Sequence, residues 1–487
     1  MACTTILVGK KASYDGSTLI ARNDDSPSGV FCAKKMIVVS SDKQPKHYKS
    51  KLSKFEIDLP NNPLSYTSCP SVDTKEGIWA ASGINSENVA MTATETITSN
   101  SRVLGADPLY KKGKEGVFTG GIGEEDLVVL VLPYIHSAKE GVVRLGSLLE
   151  KYGTYEENGI AFSDKDEIWW LETIGGHNWI ARRVKDEEYV VMPNQFGLDV
   201  FDINDAYGKQ KENMCSSTLK SLIEDNFLNL NLDDNFNPRL AFGSHDDSDH
   251  IYNTPRAWFM EKYFNPHTFI WEGDEATYKP ESDDIPRSLI PERKITIEDI
   301  KYILSSHFQG TPYDPYSKDL TSPLRGKYRP IGVSRTSFMS ISQIRPYMPK
   351  EFMAIEWICF GSNVHNAIIP LFTNTTSIPN YLSKTTLKVD SDNFYWASRL
   401  IGALCDPYFN LISIEVERYQ NRVSNFGHQI INEFDKKIAL SEDKNKAIID
   451  ANNAISKMAQ EETNRALDRV LYASSCHMRN GFSRSDN

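Results

Sequence analysis

Residues 3–25 read CTTILVGKKASYDGSTLIARNDD. Two short runs rich in β-branched residues, TTILVG (4–9) and STLIAR (17–22), flank the polar turn KKASYDGS. This pattern predicts a β-hairpin at the start of the chain. A hairpin of this length returns its far end to its beginning. Arg22 and one of Asp24 or Asp25 would then lie beside Cys3. If Met1 and Ala2 were trimmed, the Cys3 thiol would carry its own general base, an α-amine with a reference pKa of ~8. A nearby arginine would favour the thiolate, which is the nucleophile. The plainer alternative is that Cys3 is an ordinary small residue at a strand entry.

Outward from the hairpin, the first 200 residues continue as strand-length segments at 35–40, 77–84, 88–96, 126–132, 160–175, 177–184 and 188–196. One helix is predicted among them, over 136–152. Residues 201–390 are mixed. TIED (296–299) has the form of a capping box opening a helix over 297–306. Residues 265–291 form a Pro- and acid-rich loop, and 356–373 returns to strands. Residues 391–487 are helical, with helices over 394–404, 412–434 and 443–474. In the last, Ile448, Ile455, Met458, Ala459, Ala466, Leu467, Val470 and Leu471 recur at helical spacing, as a core stripe does. Strands first and helices later predict an α+β layered fold. No linker divides the chain, so 1–487 reads as a single large domain with insertions.

Composition narrows the function. The 487 residues include 54 Lys+Arg and 65 Asp+Glu, for a net charge of −11, and 40% are hydrophobic. An acidic globular chain of this kind is a poor partner for nucleic acid. The longest apolar run, DLVVLVLPYI (126–135), is well short of the ~20 residues that cross a bilayer. The N-terminus has no basic stretch followed by a long apolar one, so no secretory signal is expected. The seven cysteines are scattered without a CxxC, which argues against a disulfide framework or zinc ribbon and for a reduced, cytoplasmic setting. TGGIGEED (119–126) lacks dinucleotide-binding spacing and reads as a turn. HDDSDH (245–250) is the best metal candidate, yet it matches no zinc signature, so neither metal nor cofactor is expected. Most of the eight tryptophans are expected in the core. The long C-terminal helices leave room for a homo-oligomer.

The opening stretch resembles the start of the PepD-type dipeptidases, a cysteine branch of the N-terminal-nucleophile hydrolases. Secernins, penicillin V acylases and bile-salt hydrolases are more distant kin. The resemblance continues through GINSENVAMTATET (83–96), GIAFSDKDEIWWLETIGGHNWIARRV (159–184), YVVMPNQFGLD (189–199), DHIYNTPRAWF (249–259), RPIGVSRTSF (329–338) and EWICFGSNVHNAIIPLF (356–372), and so covers essentially the whole chain. It implies a four-layer αββα sandwich and metal-free hydrolysis of dipeptides through a Cys3 thioester. It also implies that Cys3 is the nucleophile, that Arg22 and Asp25 flank it, and that Asn194 donates to the oxyanion. Asp24 competes with Asp25 for its place. Arg256 is a weaker match to a further, substrate-binding arginine. Where the acylase branch has another asparagine, this chain has Thr92, Thr94 and Glu95, and Glu95 becomes a candidate for the substrate ammonium. Removal of Met1 alone would leave the α-amine on Ala2, so the self-based mechanism expects both residues to be lost. The rival readings are a non-peptide amidase or acylase, a metallopeptidase built on HDDSDH, and a non-catalytic secernin-like protein.

Overall fold

The structure, a computed structural model, describes residues 3–92, 95–232 and 235–478. Strands β1 (Thr4–Val8) and β2 (Thr18–Asp25) form the expected hairpin, in the register Thr5↔Arg22 and Leu7↔Ile20. A Cβ on Gly9, at the turn, would lie 2.3 Å from the Lys185 carbonyl oxygen, so the turn passes the neighbouring loop only as glycine. The hairpin sits inside a seven-stranded antiparallel sheet. Its order is Ser288–Leu289, Tyr189–Met192, β1, β2, Thr336–Ile344, Ala354–Phe360 and Ile369–Phe372. A second, nine-stranded sheet runs from Asn213–Cys215 through Asn178–Val184, Ile168–Ile174, Asn158–Ser163, Ala90–Thr92, Ser82–Asn85 and Tyr66–Ser68 to Ile37–Val39. Its ninth strand, Glu95–Thr96, adds to Asn158–Ser163.

Alternation along these strands sorts their side chains into three apolar cores. Leu7 and Ile20 of the first sheet pack with Ile84, Ala161 and Trp170 of the second. Ile6, Val8, Leu19 and Ala21 point the other way, into a core shared with the helices Thr254–Phe264, Ile297–Leu304 and Phe394–Cys405 and the long pair Phe409–Leu440 and Lys444–Cys476. Phe162, Trp169 and Leu171 of the second sheet face the helices Leu127–Val131 and Ala138–Tyr152. The fold is therefore α+β, with two large antiparallel sheets and a helical C-terminal region. Trp169 and Trp170 enter different cores, as neighbours on a strand must.

Most expected elements are present. The capping box forms, with Asp299 N–H bonding Thr296 Oγ1 at 3.1 Å and Thr296 N–H bonding Asp299 Oδ2 at 2.9 Å. The helices expected near the C-terminus appear as Phe394–Cys405, Phe409–Leu440 and Lys444–Cys476. Asn452 completes the edge strand next to them. It accepts from Phe372 N–H and donates to Phe372 C=O, both at 3.0 Å, which replaces a missing ladder partner. Two expectations fail. Besides the helix expected over 136–152, the first 200 residues contain the helix Ser101–Ala106. Residues 126–132 are not a strand but the helix Leu127–Val131 and the start of a 3₁₀ turn, Leu132–Tyr134. All five residues of that helix are buried. A continuous apolar run buried on every side carries no period that separates helix from strand. Among the described residues no helix is long and apolar enough to cross a membrane.

One polar pair bridges the sheets. Glu356 is fully buried and accepts from the Ser82 hydroxyl of the opposite sheet through Oε1, while its Oε2 has no partner among the described residues. Burial pushes its carboxyl up from 4.5 to about 7, against the pull of the Ser82 bond. Above pH 4.5 the unfolded chain gives up this proton while the folded protein keeps it, so stability falls until about pH 7 and then levels off. Glu356→Gln keeps the neutral shape and removes that loss. The variant should gain roughly 3 kcal/mol relative to the native protein between pH 5 and pH 8.5, read from thermal melts at the two pH values. A difference that does not change with pH would show that this carboxyl is already ionised in the folded protein.

Candidate active site

The face of the hairpin that carries Leu7 and Ile20 also carries Cys3, Arg22 and Asp24 at the ends of the strands. All three are buried between the sheets. Arg22 Nη2 donates to Cys3 Sγ at 3.0 Å and to Glu124 Oε1 at 2.8 Å, and Nη1 donates to the Ala81 carbonyl at 3.2 Å. Asp24 stands 3.7 Å from the same guanidinium and pairs with Lys34 Nζ at 2.7 Å. Burial works against the Arg22 charge, but Cys3, Glu124 and Asp24 outweigh it and hold the group well above its usual range. Burial likewise opposes ionisation of Asp24, and Lys34 and Arg22 outweigh it and keep its carboxyl low. A permanent cation 3.0 Å from the sulfur favours thiolate over thiol.

Glu124 was not singled out by sequence reasoning, although it lies in the glycine-rich stretch 119–126. The glycines are what bring it in. A Cβ on Gly123 would lie 1.8 Å from the Tyr155 hydroxyl, so only glycine lets this loop close on its neighbour. The loop forms a nest of acids. Glu124 N–H donates to Glu156 Oε1 at 2.6 Å, Tyr155 donates to Glu125 at 2.5 Å, and Tyr48 donates to Asp126 at 2.6 Å. Burial raises the proton affinity of Glu125, Asp126 and Glu156, helped for Glu125 by the charge of Asp126.

Asn194 and Arg256 approach the same end of β1, at Cys3 and Thr4. The five N–H groups of Arg256 meet five acceptors: Cys3 C=O, Thr4 Oγ1 (2.6 Å), Asn194 Oδ1 (2.8 Å), Asn253 Oδ1 (2.7 Å) and Tyr252 C=O (2.5 Å). A guanidinium only donates, so it holds the carbonyl end of the Asn194 amide and fixes which way the NH₂ end points. That NH₂ donates to Thr96 C=O at 2.9 Å.

Residues 2–422 match peptidase family C69. The chain is 51% identical to the "Dipeptidase" of Bifidobacterium longum and 50% identical to a "Probable dipeptidase A" of Streptococcus pyogenes, each over the full length of both chains. It is 45% identical to "Dipeptidase A" of Lactobacillus helveticus, over 90% of this chain and 88% of that one. The chain belongs to peptidase family C69.

C69 is a cysteine-peptidase family, and Cys3 is the cysteine of this C69 peptidase that lies in contact with Arg22. Asp25 leaves β2 on the opposite face from Asp24. It bonds Arg329 at 2.5 Å and Thr336 Oγ1 at 2.6 Å. The side chain of Glu95, like Met1, Ala2 and Thr94, lies outside the described residues. In HDDSDH, His250 faces Asp283 at 2.9 Å and Asp249 takes a bond from Asn253. Among the described residues no three His, Cys, Asp or Glu side chains converge as a metal-ligand set.

The Arg22–Glu124 pair is a buried one, and removing one partner leaves an uncompensated charge. Glu124→Gln should cost ~3 kcal/mol in urea unfolding. The double variant Arg22→Met/Glu124→Gln should lose ~2 kcal/mol less than the sum of the two singles. Strictly additive losses would mean that the two groups are not coupled.

Proposed function

We propose that the protein is a cysteine dipeptidase working through Cys3, on a four-layer αββα sandwich whose three interlayer cores are those described above. The dipeptidase reading is supported by the family and by relatives at about half identity that bear this name. The single structural observation that supports the Cys3 mechanism is the 3.0 Å contact of Sγ with Arg22. The chain from 1 to 487 works as one domain, because β1, β2 and the strand Thr336–Ile344, far apart in sequence, lie side by side in one sheet. Seven scattered cysteines with no CxxC spacing fit a reducing, cytoplasmic setting.

The mechanism begins with loss of Met1 and Ala2, which places a free α-amine on Cys3. The amine takes the thiol proton. Arg22 and Lys34 balance Glu124 and Asp24, so the fixed charges around the sulfur cancel. A thiolate and an ammonium formed on one residue leave that balance unchanged. The thiolate attacks the carbonyl carbon of the dipeptide, and the carbonyl oxygen becomes an oxyanion. The Asn194 NH₂ donates to it, an interaction typically worth ~3 kcal/mol. The C–N bond breaks as the ammonium returns its proton to the leaving nitrogen, which departs as a free amino acid. Water, deprotonated by the α-amine, then cleaves the thioester and releases the second amino acid and the thiol. Arg256 is a positioning residue: it sets the Cys3 carbonyl and the Asn194 amide. Asp25 anchors Arg329 at the rim of the site.

Intact-mass spectrometry of active enzyme tests the α-amine. The expected mass is short by Met plus Ala. An active sample that has lost Met alone would require a different base for Cys3. In the same preparation Cys3→Ala should lower dipeptide turnover by at least about 10³-fold. Turnover that survives this change would remove Cys3 from the mechanism.

A further inference from the structure

A hydrolase restricted to two-residue substrates must recognise a free terminus within one residue of the scissile bond. The structure offers a place for one. Where Asp25 and Ser26 leave the sheet, a cavity of about 460 Å³ opens, lined by Arg329, Arg335 and Arg399 with Phe31 and Ser334 between them. Arg329 belongs to Asp25. The other two guanidiniums have no carboxylate within ion-pair range among the described residues. Arg335 donates to Ser26 C=O at 2.5 Å, and Arg399 donates to Ser334 C=O at 2.6 Å with its guanidinium 4.5 Å over the Phe31 ring. Asp406, the one carboxylate in the lining, already accepts from Tyr316 at 2.6 Å.

We propose that Arg335, assisted by Arg399, is the clamp for the free α-carboxylate of the dipeptide, and so the group that makes this enzyme a dipeptidase. The clamp rests on the dipeptidase reading above and adds the side chains that select the substrate. Three observations support it. Arg335 is half-buried at the mouth of the cavity, so its remaining donors can meet a ligand oxygen away from bulk water, where a charge-assisted bond is strong. Arg335 directly precedes Thr336, which pairs with Asp25 at the end of β2, and Cys3 directly precedes Thr4, which pairs with Asn23 from the other side of β2, so the clamp and Cys3 belong to the same end of the sheet. Burial and the neighbouring Arg329 charge lower its proton affinity, so an incoming anion relieves a like-charge contact. The carboxylate of a dipeptide is one residue from the scissile carbonyl, a span of at most ~3.6 Å along the chain. A third residue would replace that carboxylate with a neutral amide and drive further chain into the arginines.

The test compares an alanine-type dipeptide with its C-terminal amide, in native enzyme and in Arg335→Gln. The native enzyme should prefer the free acid by roughly 10- to 100-fold in kcat/KM. Arg335→Gln should lose that factor on the acid, mainly through KM, and leave the amide nearly unchanged. Should Arg335→Gln fail to fold, Arg399→Gln should show a smaller loss, again confined to the acid. Equal losses on acid and amide in the folded variants would overturn the clamp, as would a native enzyme indifferent to the free carboxylate. Those two outcomes leave the dipeptidase reading intact. A native enzyme that cleaves neither compound, nor any other dipeptide, would overturn that reading and the clamp with it.

Discussion

Arg22 carries its charge in a place where a lone charge would cost several kcal/mol, between two β-sheets and out of contact with water. The surrounding structure is arranged to compensate. Glu124 meets it at 2.8 Å from the glycine-rich loop 119–126, Asp24 stands at 3.7 Å along its own strand, and Lys34 in turn neutralises Asp24. Two cations and two anions form a closed set. Because the set holds Arg22 well above its usual range, this arginine never gives up a proton and cannot act as a base. Its contribution is a fixed field on the sulfur. The proton that must move at Cys3 has to go elsewhere, and this is why the α-amine carries so much of the proposed chemistry.

The hairpin was legible in the sequence because its signals are local: two β-branched runs, a polar turn, and glycines where the chain must bend or pass close to a neighbour. The C-terminal helices were legible for the same reason, each carrying a stripe long enough to show its period. The choice between Asp24 and Asp25 was not. Adjacent strand residues point to opposite faces, and which face meets Cys3 depends on the register of β2 with both neighbours. On the far side that register shifts between Thr336 and Phe338, opposite these two aspartates. Glu124 was invisible for a related reason. It is 102 residues from Arg22, and nothing local marks an acid that will be carried to a distant guanidinium. The glycines at 120, 121 and 123 were the available signal. They read as a turn, and their stronger message was close packing around the acid beside them. The helix at 127–131 was missed because complete burial erases periodicity.

Arg256 shows how identity and role separate. The sequence marks it as an arginine near the site, which invites a substrate contact. Its environment points elsewhere, because each of its five donors has an acceptor within the protein, among them the backbone carbonyl of Cys3 and the side chain of Asn194. An arginine so fully engaged is better suited to holding other groups still. Arg335 and Arg399 are the reverse case. They are unremarkable in sequence, yet they face a cavity with donors not committed to any carboxylate among the described residues.

The sheet itself then limits the length of the substrate. Cys3 immediately precedes β1, Arg22 lies on β2, and Arg335 immediately precedes Thr336–Ile344, the next strand over. Neighbouring strands are ~4.8 Å apart, so the proposed nucleophile and the strand beside the proposed clamp are separated by about two such steps. An extended dipeptide spans ~7 Å, comparable to that gap once the side chains reach inward from both sides. A site built across three adjacent strand ends is therefore short by construction, since each added substrate residue would need another ~3.5 Å that the strand spacing does not provide. On this argument the preference for two residues comes from where the sheet places its ends as well as from the chemistry of the clamp.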